Sequence, residues 1–306
     1  MEKMSKIKTA KEFKRAKFEM RSGKRKGLNR LIIGIGQIHP VARGRFAYLE
    51  ARRIGKVQSW IFNCCHYLSS KWKVKSFGQE GFSFPSGRSV QARIDPNTIK
   101  ELQSTLKKHG DTESTLLNIT SEWRKSLKRK DKKEVQSAMA KLNGLALLQA
   151  VNAQVNIFPI EQSSVHGVIG ENLNILQKEI RALEGSTAFK SYKRKGGKKL
   201  NKEEYAVAFQ RNALVKEFNK MIKHPDRERS ILREVLKHAD QPVTVFVLGQ
   251  GHRHAFLNLA RHHVPDDVLF AWVTPPHLWW WSTMLNRASW IILVVLITLG
   301  IYIWPV

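Results

Sequence analysis

Two stretches of this chain are nearly apolar from end to end and too short for helices. One is Leu31-Ile32-Ile33-Gly34-Ile35, and the other is Val243-Thr244-Val245-Phe246-Val247-Leu248. A strand with one wet face alternates polar and apolar residues; a strand covered on both faces reads as a continuous apolar run. Covering both faces takes helices on both, so these runs call for crossover connections and a parallel core. Shorter runs of the same kind occur within Lys73–Ser83, Gln154–Gln162 and Asp266–Pro276, with helix-period stretches between them. Asp95-Pro96 has the chemistry of an N-cap followed by a first helical residue, and Pro225-Asp226 opens a helix in a similar way. The pattern predicts an α/β fold: a mostly parallel or mixed central sheet flanked by helices, with a helical insertion, followed by one C-terminal transmembrane helix.

That last element rests on the segment from Ala288 to Val306, nineteen residues without a charge. As a helix it would be about 28 Å long, close to the thickness of a hydrocarbon core. Trp279, Trp280, Trp281, Trp290 and Trp304 stand near its ends, where indoles favour the headgroup zone. The organisation expected is therefore a basic N-terminal arm over 1–29, an α/β domain over 30–278 and a membrane anchor over 286–306. Arg287 precedes the apolar run and the rest of the chain is basic, which predicts a single-pass membrane protein with its bulk in the cytoplasm.

The chain carries 53 Lys and Arg against 25 Asp and Glu over 306 residues, a net charge of +28. Twelve of these cations fall before residue 31, against three Glu, and a second cluster is Lys190–Lys199. Charge of this size attracts polyanions, so acidic lipid and nucleic acid are the partners expected for the arm, which is read as disordered or surface-bound. Aromatic residues are not interleaved with the arm as a base-stacking surface requires. The two cysteines, Cys64 and Cys65, are adjacent. Neighbouring cysteines pair only with strain, which excludes a disulfide scaffold and points to a reducing compartment.

Chemistry concentrates where the apolar runs stop. Gly36-Gln37-Ile38-His39 follows the first, and Gly249-Gln250-Gly251-His252 follows the run near the end. Glu80 lies at the end of the second run and Glu161 at the end of the third. In open α/β sheets ligands bind at the carboxyl ends of strands. Two His and two carboxylates gathered there can hold a divalent metal, or act as acid and base around a scissile bond. A dinucleotide fingerprint is excluded at both places, because its third glycine falls on His39 and His254. Arg227 and Arg229 sit in the first turn of the helix before the second motif, where a guanidinium could grip a carboxylate, a phosphate or a developing oxyanion.

The order of these motifs resembles the TraB/GumN/Tiki group, related more distantly to erythromycin esterase and ChaN-like proteins. The likeness rests on G-x-x-H after the first strand, Glu after the second and "VFVLGQGH" near the end. Asp226-Arg227-Glu228-Arg229-Ser230-Ile231 stands where that group has an E-R-[DN]-x-x-[ML] motif. Only Arg227 is matched strictly; Glu228 and Ile231 replace Asp/Asn and Met/Leu. Tiki-like members are metal-dependent proteases, esterase-like members use His and Glu as acid and base, and other relatives bind haem or dampen peptide pheromone signals. The resemblance implies a metal-dependent hydrolase acting on a peptide or ester. His39, His252 and Glu80 would hold Mn, Co or Zn, Glu80 and Glu161 would move protons, and Arg227 would steady negative charge. The open alternative is a non-enzymatic membrane-associated protein that binds nucleic acid, acidic lipid or a signalling peptide through its basic surface.

Overall fold

The computed structural model describes residues 2–22, 29–38, 47–80, 94–129, 132–161, 163–196, 198–222 and 225–278. Six strands form one sheet: β1 (Lys17–Ser22), β2 (Arg30–Gln37), β3 (Ser76–Gln79), β4 (Asn156–Pro159), β5 (Val243–Gly249) and β6 (Val268–Thr274). Their order across the sheet is β1-β6-β2-β5-β3-β4. The five strands from β6 to β4 are parallel, and β1 joins the edge antiparallel to β6. The mixed α/β sheet therefore matches the expectation, as do all five strands read from the sequence.

The centre is dry. Every residue of β5 and β6 is buried, as is all of β2 after Arg30. Gly34 sits where the aromatic core is thickest. A Cβ there would lie 2.7 Å from the Phe246 ring and 2.9 Å from that of Trp272. At the other end of the strand, Arg30 donates to both oxygens of Asp267 at 2.7 Å and to the Ala239 carbonyl at 2.9 Å, tying the entry of β2 to that of β6.

The chain divides into two units. The first comprises Met1–Glu80, Gln91–Pro159 and Val235–Val306, and the second Gly81–Val90 and Ile160–Glu234. The first holds the sheet and the helices α1 (Glu2–Thr9), α2 (Ala47–Trp72), α3 (Pro96–His109), α4 (Thr112–Arg129), α5 (Lys132–Lys141) and α6 (Gly144–Val151). Asp95 caps α3 as expected, accepting from the amides of Asn97 and Thr98, and Gly110 ends the helix with φ +79°. Leu116, Ile119 and Trp123 form the buried stripe of α4. Burying each such side chain stabilises by about 1.5–3 kcal/mol. Small residues let the helices approach α2: a Cβ on Gly144 would meet the Gln58 carbonyl at 2.5 Å, and one on Gly55 the Thr120 hydroxyl at 2.4 Å.

The N-terminal segment departs from the expected disordered or surface-bound arm. It buries Met4, Ile7 and Phe13 and supplies the edge strand β1. Phe13 packs edge-on against Trp60 and Tyr67 of α2. Glu19 of β1 pairs with Arg253 at 3.0 Å. Among the described residues, Lys3, Lys6, Lys8, Lys11, Lys14 and Lys17 are exposed, while one apolar residue every few positions anchors the segment. Cys64 and Cys65 are both buried in α2, where loss of solvent pushes their thiols up, so they are inert packing groups. The expected anchor over 286–306 lies outside the described residues, and among the described residues no helix is long and apolar enough to cross a membrane.

The second unit is helical: α7 (Ser163–Gly185), α8 (Thr187–Arg194), α9 (Lys202–Ile222) and the start of α10 (Pro225–Lys237). Within the basic cluster Lys190–Lys199, the residues up to Arg194 lie in helix α8. A reciprocal cap sets the turn between α8 and α9. Asn201 accepts from the Glu204 amide at 2.8 Å, and Glu204 reaches back to the Asn201 amide at 3.0 Å. The same carboxylate accepts from Lys195 at 2.9 Å and from Ser191 at 2.6 Å on α8. Lys195 first, then Ser191 and the Asn201 amide, hold the Glu204 carboxyl down at about 2, against an ordinary 4.5.

Because that value is depressed by folding, its stabilising effect is complete above about pH 4.5 and is lost as pH falls from there through about 2. Thermal melts by circular dichroism should show Glu204→Gln below the parent at pH 5, with the gap closing toward pH 2. A gap independent of pH would contradict the role assigned to this carboxylate.

Candidate functional site

The site begins with topology. From β2 the chain runs through α2 to β3 on one side; from β5 it runs through α11 (Arg253–His263) to β6 on the other. The connections therefore diverge between β2 and β5, which are neighbours. A crevice opens at the carboxyl ends of strands at such a switch point. The register pairs Gly36 with Leu248 and Gln37 with Gly249, so the two G-x-x-H motifs leave adjacent strands at the same level. β3 lies on the other flank of β5, with Gln79 beside Val247.

Glu80 and His252 meet there. Glu80 is the first residue past β3, and its amide still donates to the Val247 carbonyl at 3.1 Å, which fixes its backbone. Its carboxylate is 5% exposed and the His252 side chain 8%. Glu80 Oε1 lies 3.2 Å from His252 Nε2, and Oε2 accepts from the Gly249 amide at 2.5 Å. An ionised carboxylate out of water needs such donors. His252 ends a short helical turn, Gln250–His252, that connects β5 directly to α11 and so holds the imidazole against the sheet.

The glutamine of the second motif has a separate task. Gln250 Oε1 accepts from Trp272 Nε1 at 3.3 Å, and its Nε2 donates to Thr274 Oγ1 at 3.1 Å. The amide thus reaches over β2 to β6, and it crosses at Gly36, where a Cβ would stand 1.8 Å from Gln250 Oε1. The glycine of one motif and the glutamine of the other interlock.

Of the residues expected at the site, Glu80 and His252 are in direct contact, and His39 lies outside the described residues. Glu161 follows β4 by two residues and belongs to the second unit, as does Arg227. These two form their own ion pair, with the Arg227 Nε 2.8 Å from Glu161 Oε1 and both side chains about nine-tenths buried. Arg229 is exposed and pairs with Asp226 at 3.2 Å. Gln250, Thr274 and the Gly249 amide were not expected; the repeated Gly-Gln of the two motifs was the available signal.

Among the described residues no group of three or more His, Cys, Asp or Glu is disposed to hold a metal ion. Glu80 and His252 are two such side chains, and at 3.2 Å Glu80 Oε1 and His252 Nε2 stand at ordinary hydrogen-bond distance. Oxygen and imidazole nitrogen suit Mn, Co or Zn. Comparison with family models, curated proteins and solved structures gives no match to this chain.

The interlock predicts that Gly36→Ala displaces the Gln250 amide and costs about 1–2 kcal/mol for its two hydrogen bonds. In a Gln250→Ala background the same change should cost a few tenths. Urea unfolding of the four proteins tests this, and equal costs in both backgrounds would contradict it.

Proposed function

We propose that this chain is a TraB/Tiki-like hydrolase, tethered to a membrane by its C-terminal apolar segment, that cleaves a peptide or ester bond. The observation that carries the reading is the buried Glu80–His252 contact, backed by the Gly249 amide, at the switch point of a parallel sheet. A carboxylate that fixes an imidazole stabilises its protonated form, so the pair can accept a proton from an attacking water and return it to the leaving group. The Gly249 amide holds the Glu80 carboxylate in place while this happens.

In a metal-dependent form of the reaction, His39, His252 and Glu80 would hold a divalent ion in place of the proton shared by Glu80 and His252, and the ion would supply a water of lowered pKa and polarise the carbonyl. Glu161 and Arg227 enter as a pair. A guanidinium that already holds a carboxylate has little net charge left to steady an oxyanion. We therefore assign the proton transfers to Glu80 and His252 and give the Glu161–Arg227 pair a structural role. With Arg287 ahead of the apolar run, the positive-inside rule sets the bulk of the chain on the cytoplasmic side. The exposed lysines of α1 would then face anionic lipid.

The test uses the full chain in neutral detergent with Mn, Co or Zn, a pool of fluorogenic peptides and nitrophenyl esters. Glu80→Gln and His252→Ala should each reduce hydrolysis at least 100-fold with the fold retained by circular dichroism. His39→Ala and His252→Ala should also lose bound metal by elemental analysis. Turnover that survives in both the Glu80 and His252 variants contradicts the reading.

A further inference from the structure

We propose that the tip of the α8–α9 hairpin, in the second unit, binds single-stranded nucleic acid, with Tyr205 and Phe209 as its stacking surface. Tyr205 is 63% and Phe209 68% exposed, an unusual setting for two large rings. They stack on each other, 6.4 Å between centroids with 17° between planes. At helical spacing Lys202, Tyr205, Phe209 and Lys216 recur on one face of α9, and all four are exposed. That face runs about 21 Å. Just ahead of it the tip presents Lys193, Arg194, Lys198 and Lys199, also exposed.

The tip is preshaped. Glu204, itself 3% exposed, binds Ser191, Lys195 and the Asn201 amide, so the cations project from a fixed turn. A rigid display costs less ordering on binding than a flexible arm does. Cations that follow a backbone beside aromatic faces that accept any base are the recurring design for unspecific single-strand binding.

The arrangement favours nucleic acid over a bilayer surface. A helix lying in a membrane interface keeps a broad apolar face opposite its cations. Here the rings share the face of the lysines, while the other side of α9 meets its neighbours: Arg211 pairs with Glu184 of α7 at 2.8 Å and stands 5.9 Å over the Phe189 ring of α8.

Fluorescence anisotropy with the full chain in neutral detergent tests the proposal, using a labelled oligothymidylate and its RNA counterpart. Heparin, a polyanion without bases, controls for charge alone, and phosphatidylserine vesicles test for lipid. Tyr205→Ala with Phe209→Ala should weaken oligonucleotide binding at least tenfold and leave heparin binding within twofold. Lys198→Ala with Lys199→Ala should weaken both and flatten the salt dependence. Both aromatic positions are exposed, so the melting temperature should hold. An aromatic variant that binds oligonucleotide like the parent overturns the proposal. So does a parent that binds vesicles but not oligonucleotide.

Discussion

The carboxylate of Glu80 is the point on which this molecule turns. It is buried, it accepts the Gly249 amide through one oxygen and it meets His252 through the other. Those two partners belong to the end of β5 and the turn after it, while Glu80 belongs to the end of β3. The contact therefore joins the ends of two strands through residues 169 positions apart in sequence, at the rim where a parallel sheet opens. A buried charge is costly unless its lone pairs are engaged, and it is strongly destabilising once a partner is taken away. In the function proposed above, the geometry these contacts fix serves proton transfer between Glu80 and His252.

Around that point the structure supplies rigidity from two directions. Below it, Phe246 of β5, Phe270 and Trp272 of β6 and Phe256 of α11 pack into one aromatic core. Above it, Gln250 clamps β5 to β6 across Gly36. The glycine of the first G-x-x-H motif and the glutamine of the second thus have different parts: Gly36 leaves room for the clamp to cross, and Gln250 is the clamp.

Much of the sheet was legible because strands covered on both faces leave a strong mark. Leu31–Ile35 holds no polar residue and Val243–Leu248 only Thr244, far fewer than a half-wet strand or a surface helix would show. β1 was not legible: Lys17-Phe18-Glu19-Met20-Arg21-Ser22 is an edge strand, polar on one side, and it lies in a segment whose lysines dominate its composition. Its pairing is decided by β6, which is more than two hundred residues away in the chain. Helix α8 was hidden by the same cationic bias, and what orders its end is a carboxylate from the next helix. Within the site, strand-end position placed Glu80 and His252 among the candidates, and these two are in contact. It could not separate them from Glu161 and Arg227, because spacing along a chain does not say which acid a guanidinium will take.

Glu80 and His252 depend on each other, and a double-mutant cycle in urea measures that dependence directly. Glu80→Ala and His252→Ala should each destabilise the chain, and the double variant should lose less than the sum by at least about 1.5 kcal/mol, the range of coupling for a buried charge-assisted contact. Additivity within about 0.5 kcal/mol, the behaviour of residues that do not touch, would contradict the account.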